Sequence, residues 1–202
     1  MSQKKYLFIR CVLSVSFVLG GGPAAHAQSR GQPPATPVSG AVEATVLGPQ
    51  HAALAALVGN WNVQIVLGDG AAPAQHSTGK AEYAWVVKGR WLSCRITGSI
   101  FGEPYEQFTI VGYDSYAKNI VEVSVESVDN SMLMARGPFA NPNQSVTSLF
   151  GELDEYSSGV LHQPYKVVWN RLSADRHITT IVGFDDAGKE VRKLQLTFSR
   201  TP

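Results

Sequence analysis

The sequence predicts an all-β protein, an antiparallel meander that closes into a β-barrel of about 8–10 strands, with one short N-terminal helix closing an end. From Trp61 onward apolar and polar residues alternate with a period of two, which is typical of strands with one dry and one wet face. Short turns rich in glycine, aspartate and asparagine separate these strands. A sheet of that many strands must split or curl, and closure removes its exposed edges.

The first 27 residues have the features of a cleavable secretory signal peptide. Lys4, Lys5 and Arg10 give a basic start, the apolar stretch Cys11–Leu19 follows, and the small-x-small sequence AHA ends at Ala27. The apolar stretch is too short to span a bilayer. We therefore predict export to the periplasm or the extracellular space, with no stable membrane anchor after cleavage.

Cleavage after Ala27 changes both the charge and the cysteine content of the chain. The full sequence has 17 basic and 16 acidic residues; the leader carries three basic residues and no acidic one, so 14 and 16 remain, a net charge near −2. Such a charge excludes nucleic acid as a predicted partner. Only Cys94 remains, so no internal disulfide can form and the domain depends on its core.

Residues 28–48 are rich in proline, glycine and small side chains, which predicts a disordered lead-in. Residues 49–202 form the predicted single β-barrel domain. It begins with a helix over Pro49–Val58, because Pro49 suits the first helical position and Leu54 and Leu57 have helical spacing. Gly59 ends this helix.

Ten strand candidates follow the helix. In the fifth, Val121, Val123 and Val125 share one side and Glu122 and Ser124 share the other, which predicts that the valines lie on the dry side. The candidates are Trp61–Leu67, Gly79–Val87, Trp91–Ile100, Tyr105–Asp114, Asn119–Val128, Met132–Pro138, Ser145–Leu153, Tyr165–Leu172, His177–Phe184 and Val191–Arg200.

The alternation also predicts how the barrel closes. Trp61 has the parity of Val63 and Ile65, and Arg200 has the parity of Leu196 and Phe198, so both point inward. In a closed meander the first and last strands are antiparallel neighbours. Trp61 and Arg200 should therefore meet at one end, under the helix, with the guanidinium packed over the indole.

The motifs LVGNWNV, GRWL, GYDS and the closing FSR, in this order, resemble a bacterial secreted family known as domain of unknown function 1579. The likeness covers about Gln50–Arg200, and the Gly-x-Trp start with a closing arginine is similar to the calycin group, which includes lipocalins and fatty-acid-binding proteins. The resemblance implies a calycin-like barrel in which Gly59, Trp61 and Arg200 have a structural role. It implies no activity.

The histidines give no metal-binding pattern, and we predict neither a metal site nor a cofactor. His51, His76 and His162 are scattered, and His26 leaves with the leader. Barrel relatives that bind haem use an inward histidine, but the alternation around His177 leaves its direction ambiguous, and a rim or surface position is favoured.

No catalytic residue is predicted, since no G-x-S-x-G sequence is present and Cys94 lies mid-strand, where a buried and inert thiol is expected. The candidate ligand-binding residues are instead aromatic and methionine side chains on strand faces. They are Tyr83, Trp85, Phe108, Met132, Met134 and Trp169.

Three functional hypotheses follow from that lining. The first is an exported barrel that binds a small apolar molecule, which the strand count favours because about ten strands leave room inside. The alternative is a cell-envelope interaction or structural module with a filled barrel, acting through the loops Phe139–Gln144 and Ser157–Gln163. The third is an enzyme, which needs an acid or base with a shifted pKa in a pocket; His177 and Arg95 are the first suspects.

Overall fold

The computed structural model describes residues 46–68, 73–128, 130–139, 141–155, 160–185 and 187–202. The predicted signal peptide and residues 28–45 of the predicted lead-in lie outside this part of the chain. No helix in the described ranges is long and apolar enough to cross a membrane. The described elements are α1 (Pro49–Ala55), β1 (Gly59–Leu67), β2 (Gln75–Val87), β3 (Trp91–Ile100), β4 (Glu103–Asp114), β5 (Asn119–Glu126), β6 (Leu133–Pro138), β7 (Val146–Glu155), β8 (Val160–Arg171), β9 (Arg176–Phe184) and β10 (Glu190–Arg200).

The strands form a closed barrel in which each strand is antiparallel to its sequence neighbours and β1 pairs with β10. This confirms the predicted antiparallel meander, at the upper end of the expected strand number. The register of the closing pair sets Trp61 opposite Arg200 and Val63 opposite Phe198. Both ends of the barrel sequence therefore meet at the end that α1 covers.

The helix α1 is three residues shorter than the sequence predicts. Leu57 and Val58 leave the α-helical pattern and donate backbone hydrogen bonds to the carbonyls of Leu54 (3.0 Å) and Ala55 (3.2 Å), three residues earlier in each case. This tighter turn is common where a helix ends. Leu54 is 2% exposed and fixes the helix to the barrel end.

The orientation of β5 is opposite to the prediction. Glu122 and Ser124 are buried in the barrel, whereas Val125 is 41% exposed on the outside. Glu122 pairs with Val111 of β4 and Ala135 of β6, which are both buried. Since directly paired residues point to the same side of a sheet, the glutamate shares the inward face of its two neighbours.

The valines of β5 lie instead on an outer apolar face. Val123 is flanked by Ile110 and Met134 on the adjacent strands, and Val125 is paired with Phe108. These side chains cover one another on the outside of the barrel. The alternation in the sequence therefore separates the two faces of β5 correctly, but the more apolar face is the outer one.

The end of the barrel away from α1 is filled by its own side chains. Ile65, Tyr105 and Leu194 are buried there. The Tyr105 hydroxyl lies within hydrogen-bond distance of Gln107 Oε1 (3.0 Å) and of Glu126 Oε2 (2.8 Å), which satisfies a polar group in that core. The interior space described below lies between α1 and the middle of the barrel.

Candidate functional site

The covered end of the barrel is closed by Trp61 and Arg200. The guanidinium Cζ of Arg200 lies 4.3 Å from the ring centroid of Trp61. Arg200 donates to the carbonyls of Ala56 (2.6 Å) and Val58 (3.0 Å), and Trp61 Nε1 donates to the carbonyl of Leu57 (2.8 Å). The last carbonyls of a helical segment have no partners within it, so these two side chains satisfy them.

Gly59 makes room for this closure. Its φ of +128° is a backbone conformation that glycine adopts readily and other residues rarely do. A Cβ at this position would lie 2.9 Å from Arg200 Nη1. The Gly-x-Trp spacing thus places both the bare backbone of Gly59 and the indole of Trp61 next to the guanidinium of Arg200.

Behind Trp61 lies a cluster of rings centred on His177. The imidazole stacks on Phe198 at 4.2 Å between centroids and meets Trp61 edge-on at 4.7 Å. Its Nε2 lies 3.3 Å from the Tyr83 hydroxyl. Its Nδ1 is buried and makes no hydrogen bond to the described residues. Burial, with a smaller contribution from the charge of Arg200, lowers the pKa of His177 to about 4, so the ring is neutral at neutral pH.

His177 is therefore not the rim or surface residue that the sequence favours; it is 7% exposed. Its strand partners explain the difference, because it pairs with Phe198 and its parity mates Thr179 and Ile181 pair with Leu196 and Leu194. In β10 the inward residues are apolar and alternate with polar ones, so its inward face is clear. Once the register is known, the residues of β9 that pair with that face must also point inward. The sequence of β9 alone does not reveal that register.

Two adjoining cavities lie between α1 and the middle of the barrel. The outer cavity has a volume of ≈ 60 Å³ and the inner cavity ≈ 30 Å³. Tyr83, Trp169 and Thr179 line both. The outer cavity is also lined by Ala53, Leu54, Leu57, Phe139, Gln144, Ser145, Thr147, Asn170, Arg171 and His177, and the inner one by Cys94, Ile96, Gln107, Thr109, Val111, Glu122, Leu196 and Phe198.

Glu122 is the acidic group of the inner cavity. It is 8% exposed, and Trp169 Nε1 donates a hydrogen bond to its Oε2 at 3.0 Å. Burial raises the pKa of this carboxyl to about 7, and the bond from Trp169, which favours the charged form, only partly opposes the rise. No described Lys, Arg or His forms a salt bridge with it.

The titratable groups that face Glu122 are themselves uncharged. They are Tyr83 of β2, Cys94 of β3 and Tyr165 of β8, and the carboxylate raises the pKa of each. Burial is the larger cause in all three, and the pKa of Cys94 reaches about 12. The Cys94 thiol is thus protonated at neutral pH, as an inert core cysteine would be. None of these three neighbours supplies a positive charge to Glu122.

The family model described as "Protein of unknown function (DUF1579)" matches residues 47–200. The chain belongs to the DUF1579 family. The crystal structure of Rv2717c from M. tuberculosis is similar, with a TM-score of 0.57 and 12% sequence identity over 78% of this chain and 100% of that one. The structure of a redesigned β-barrel matches with a TM-score of 0.38 and 17% sequence identity, over 74% of this chain and 96% of that one. The sequence matches no curated protein.

At 12% identity, the likeness to Rv2717c shows the fold of the DUF1579 barrel alone. The family description carries no activity either. The function of this DUF1579 chain has to be argued from its own interior.

The DUF1579 barrel places the predicted lining residues in three different settings. Tyr83 and Trp169 line both cavities, and Trp85 packs against the core without lining either. The other three lie on the outside of the barrel. They are Phe108, under the guanidinium of Arg95 at 5.4 Å, and Met132 and Met134, which are 62% and 44% exposed.

Met132 lies just before β6 and belongs to no strand, whereas the outward positions of Phe108 and Met134 have the same cause as the orientation of β5. Phe108 and Met134 belong to the outer apolar face, where apolar parity does not mark the interior. Arg95 is outside as well, paired with Glu106, and so cannot act in the cavity. Within the described ranges, no three His, Cys, Asp or Glu side chains are grouped so that they could hold a metal ion.

Sequence reasoning missed Glu122 as a site residue of the DUF1579 barrel. It lies in a strand of alternating valines, so it resembles an ordinary solvated residue of an antiparallel sheet. The one signal that could have revealed it is register, since it is paired with the buried Val111 of β4 and the buried Ala135 of β6. The sequence does not give that register directly.

Proposed function

We propose that this chain is an exported β-barrel that binds a small, mostly apolar molecule in its interior, beneath α1. The observation that carries the proposal is the pair of adjoining cavities that share Tyr83, Trp169 and Thr179. Mostly apolar walls with a few converging polar groups are the usual form of a small-molecule site. The buried Nδ1 of His177, which has no hydrogen bond to the described residues, adds a polar group next to the outer cavity.

The volume of the cavities limits the ligand. One water-sized position needs roughly 10–15 Å³, so the outer cavity of ≈ 60 Å³ holds about four to six such positions. A cavity that holds benzene measures about 150 Å³. The proposed ligand is therefore a molecule of only a few non-hydrogen atoms, and a larger ligand would require the Trp169 ring between the two cavities to move.

A matched pair of variants tests the site. Thr179→Leu fills the space where the cavities meet, whereas Thr180→Leu places the same bulk on the opposite face of β9. We expect 1-propanol to shift the NMR signal of the Trp169 indole N–H in the wild type and in Thr180→Leu, but not in Thr179→Leu. Unchanged binding in folded Thr179→Leu would show that the ligand binds elsewhere.

Native mass spectrometry of the mature protein from its own host addresses the natural ligand. A co-purifying small molecule that is absent from the Thr179→Leu variant would identify its chemical class. A molecule retained equally by both proteins would not belong to this cavity.

Export is the second part of the proposal, supported by the basic start, the apolar stretch and the AHA site that ends at Ala27. Cell fractionation followed by N-terminal sequencing tests it. We expect a mature chain that begins at Gln28 outside the cytoplasm. An intact chain that remains in the cytoplasm would contradict export.

The outer apolar face supports a second candidate function, an interaction module of the cell envelope. Val125 and Met134 are 41% and 44% exposed and belong to a continuous group of apolar side chains, a feature typical of protein-binding surfaces. Site-specific crosslinking from Met134 in the native host tests it. A protein crosslinked from position 134 but not from exposed Glu82, and lost when Val125→Glu is added to the crosslinking protein, would favour this function.

A further inference from the structure

We propose that the interior site selects a small alkylammonium cation, with Glu122 as its counter-ion and the rings of Tyr83, Trp169 and Phe198 as its walls. The inference rests on the proposed function, since it concerns the same cavities. It adds a chemical class to the ligand. The ammonium group would lie in the inner cavity, and its alkyl chain would extend past Thr179 toward the outer one.

The first support is an acidic group whose charged form has no cationic partner. A carboxylate can accept about four hydrogen bonds, and Trp169 Nε1 is the one described donor to Glu122. A buried charge without a partner is strongly unfavourable. A cation in the inner cavity, which Glu122 lines, would supply both the countercharge and further hydrogen-bond donors.

The second support is the chemistry of the surrounding walls. Tyr83, Trp169 and Phe198 line the inner cavity together with Glu122. Aromatic rings attract an alkylammonium through their electron-rich faces, most strongly where water is excluded. Thr109 lines the same cavity, and its hydroxyl oxygen, which accepts from Gln107 Nε2 at 3.4 Å, has a second lone pair for an N–H of the ligand. Aromatic walls around a carboxylate favour a cation over a neutral molecule of the same shape.

The basic side chains near the site, Arg171 and His177, do not line the inner cavity. Arg171 lines only the outer cavity, where its guanidinium donates to the carbonyl of Pro142 at 3.2 Å. His177 also lines the outer cavity, and its lowered pKa leaves it neutral. An ammonium at Glu122 therefore has no charged competitor among the residues that line the inner cavity.

Binding of a cation should depend on pH through Glu122. The neighbouring Tyr83, Cys94 and Tyr165 keep their protons, because burial and the carboxylate both raise their pKa values. An alkylamine stays protonated up to about pH 10. With a pKa of about 7 for Glu122, affinity should rise about tenfold per pH unit below that value and level off above it.

The test compares propylammonium chloride with 1-propanol, which have the same carbon chain, by titration at pH 8. We expect the wild type to bind the ammonium at least tenfold more tightly. Glu122→Gln, which keeps the shape of the side chain, should lose that preference and still bind the alcohol. Glu82→Gln removes an exposed glutamate on the outer face of β2 and should behave like the wild type.

A calorimetric titration of the wild type at pH 6, in two buffers of different ionisation enthalpy, tests the proposal without any variant. We expect close to one proton released per ammonium bound, because Glu122 must lose its proton. Binding without proton release would overturn the role of Glu122.

The outcomes separate this inference from the proposed function. Equal binding of both probes by the wild type would overturn the cation site and leave a neutral small-molecule site standing. A preference that persists in Glu122→Gln would show that the charge is recognised elsewhere. Binding of neither probe would overturn both proposals.

Discussion

Arg200 lies over the indole of Trp61, 4.3 Å from the ring centroid, and the two residues are also direct partners across β1 and β10. The contact joins the first strand to the last. Through the carbonyls of Ala56 and Val58 it also joins both strands to the segment that follows α1. Closure of the barrel and covering of its end are thus one structural feature.

Trp61→Ala should lower the free energy of unfolding by roughly 3–5 kcal/mol, because it empties a fully buried position at the closed end. Denaturant unfolding measures the effect, with Asn60→Ala as the control, since Asn60 is an exposed neighbour on the same strand. Full stability of Trp61→Ala would contradict the closure described above.

Arg200→Ala should cost less than Trp61→Ala, on the order of 1–3 kcal/mol. The carbonyls of Ala56 and Val58 lose their donors, but part of this site is exposed and water can replace the guanidinium there. Denaturant unfolding again gives the measurement. A loss confined to ligand binding, with unfolding unchanged, would mean that Arg200 belongs to the binding site and not to the closure.

Gly59→Ala should also weaken the closed end, by about 1–3 kcal/mol, since alanine is strained at a φ of +128° and its Cβ would lie 2.9 Å from Arg200 Nη1. Gly48→Ala is the control, because its Cβ would meet only a Gln50 side-chain atom, at 3.3 Å. Equal melting temperatures for the two variants would show that Arg200 can move aside without loss.

The sequence predicts that Trp61 and Arg200 meet, and it predicts two of the residues that line the cavities, Tyr83 and Trp169. It does not predict the inward positions of Glu122 and His177, for reasons that particular strands make clear. In β10 the inward residues Leu194, Leu196 and Phe198 are all apolar, so one face is marked without ambiguity and Arg200 follows by parity. In β5 the apolar valines face outward and Glu122 faces in. Alternation separates two faces, but only pairing with neighbouring strands decides which one is inside.

The pairing register between neighbouring strands cannot be read from the sequence of one strand. His177 and Glu122 are both placed by partners on other strands, Phe198 in one case and Val111 in the other. When a barrel has some polar residues inside and some apolar residues outside, the inward face of a strand cannot be assigned from that strand alone. For the same reason, the sequence predicts Phe108 and Met134 in the lining, whereas both lie on the outside of the barrel.

Glu122→Gln should stabilise the protein at alkaline pH and have little effect at acid pH. The folded state holds the Glu122 proton more tightly than the unfolded chain, with a pKa of about 7 against 4.5, so this group's contribution falls as pH rises between those values. The full difference corresponds to about 3 kcal/mol. Unfolding of both proteins at pH 4 and pH 8 measures it, and a difference that does not change with pH would contradict the buried, unpaired carboxyl.

His177 should make the free energy of unfolding depend on pH with the opposite sign to Glu122, and His177→Phe tests this. The folded pKa of His177 is about 4 against 6.5 in the unfolded chain, so the unfolded state binds more protons, and the histidine destabilises the protein as pH falls through this window. Between about pH 4.5 and 6.5 its effect and that of Glu122 have opposite signs and similar size, so in the wild type they largely cancel. His177→Phe should therefore lose stability with rising pH across that window, whereas Glu122→Gln should gain it. Parallel stability curves for the two variants would show that at least one of these groups does not titrate inside the folded barrel.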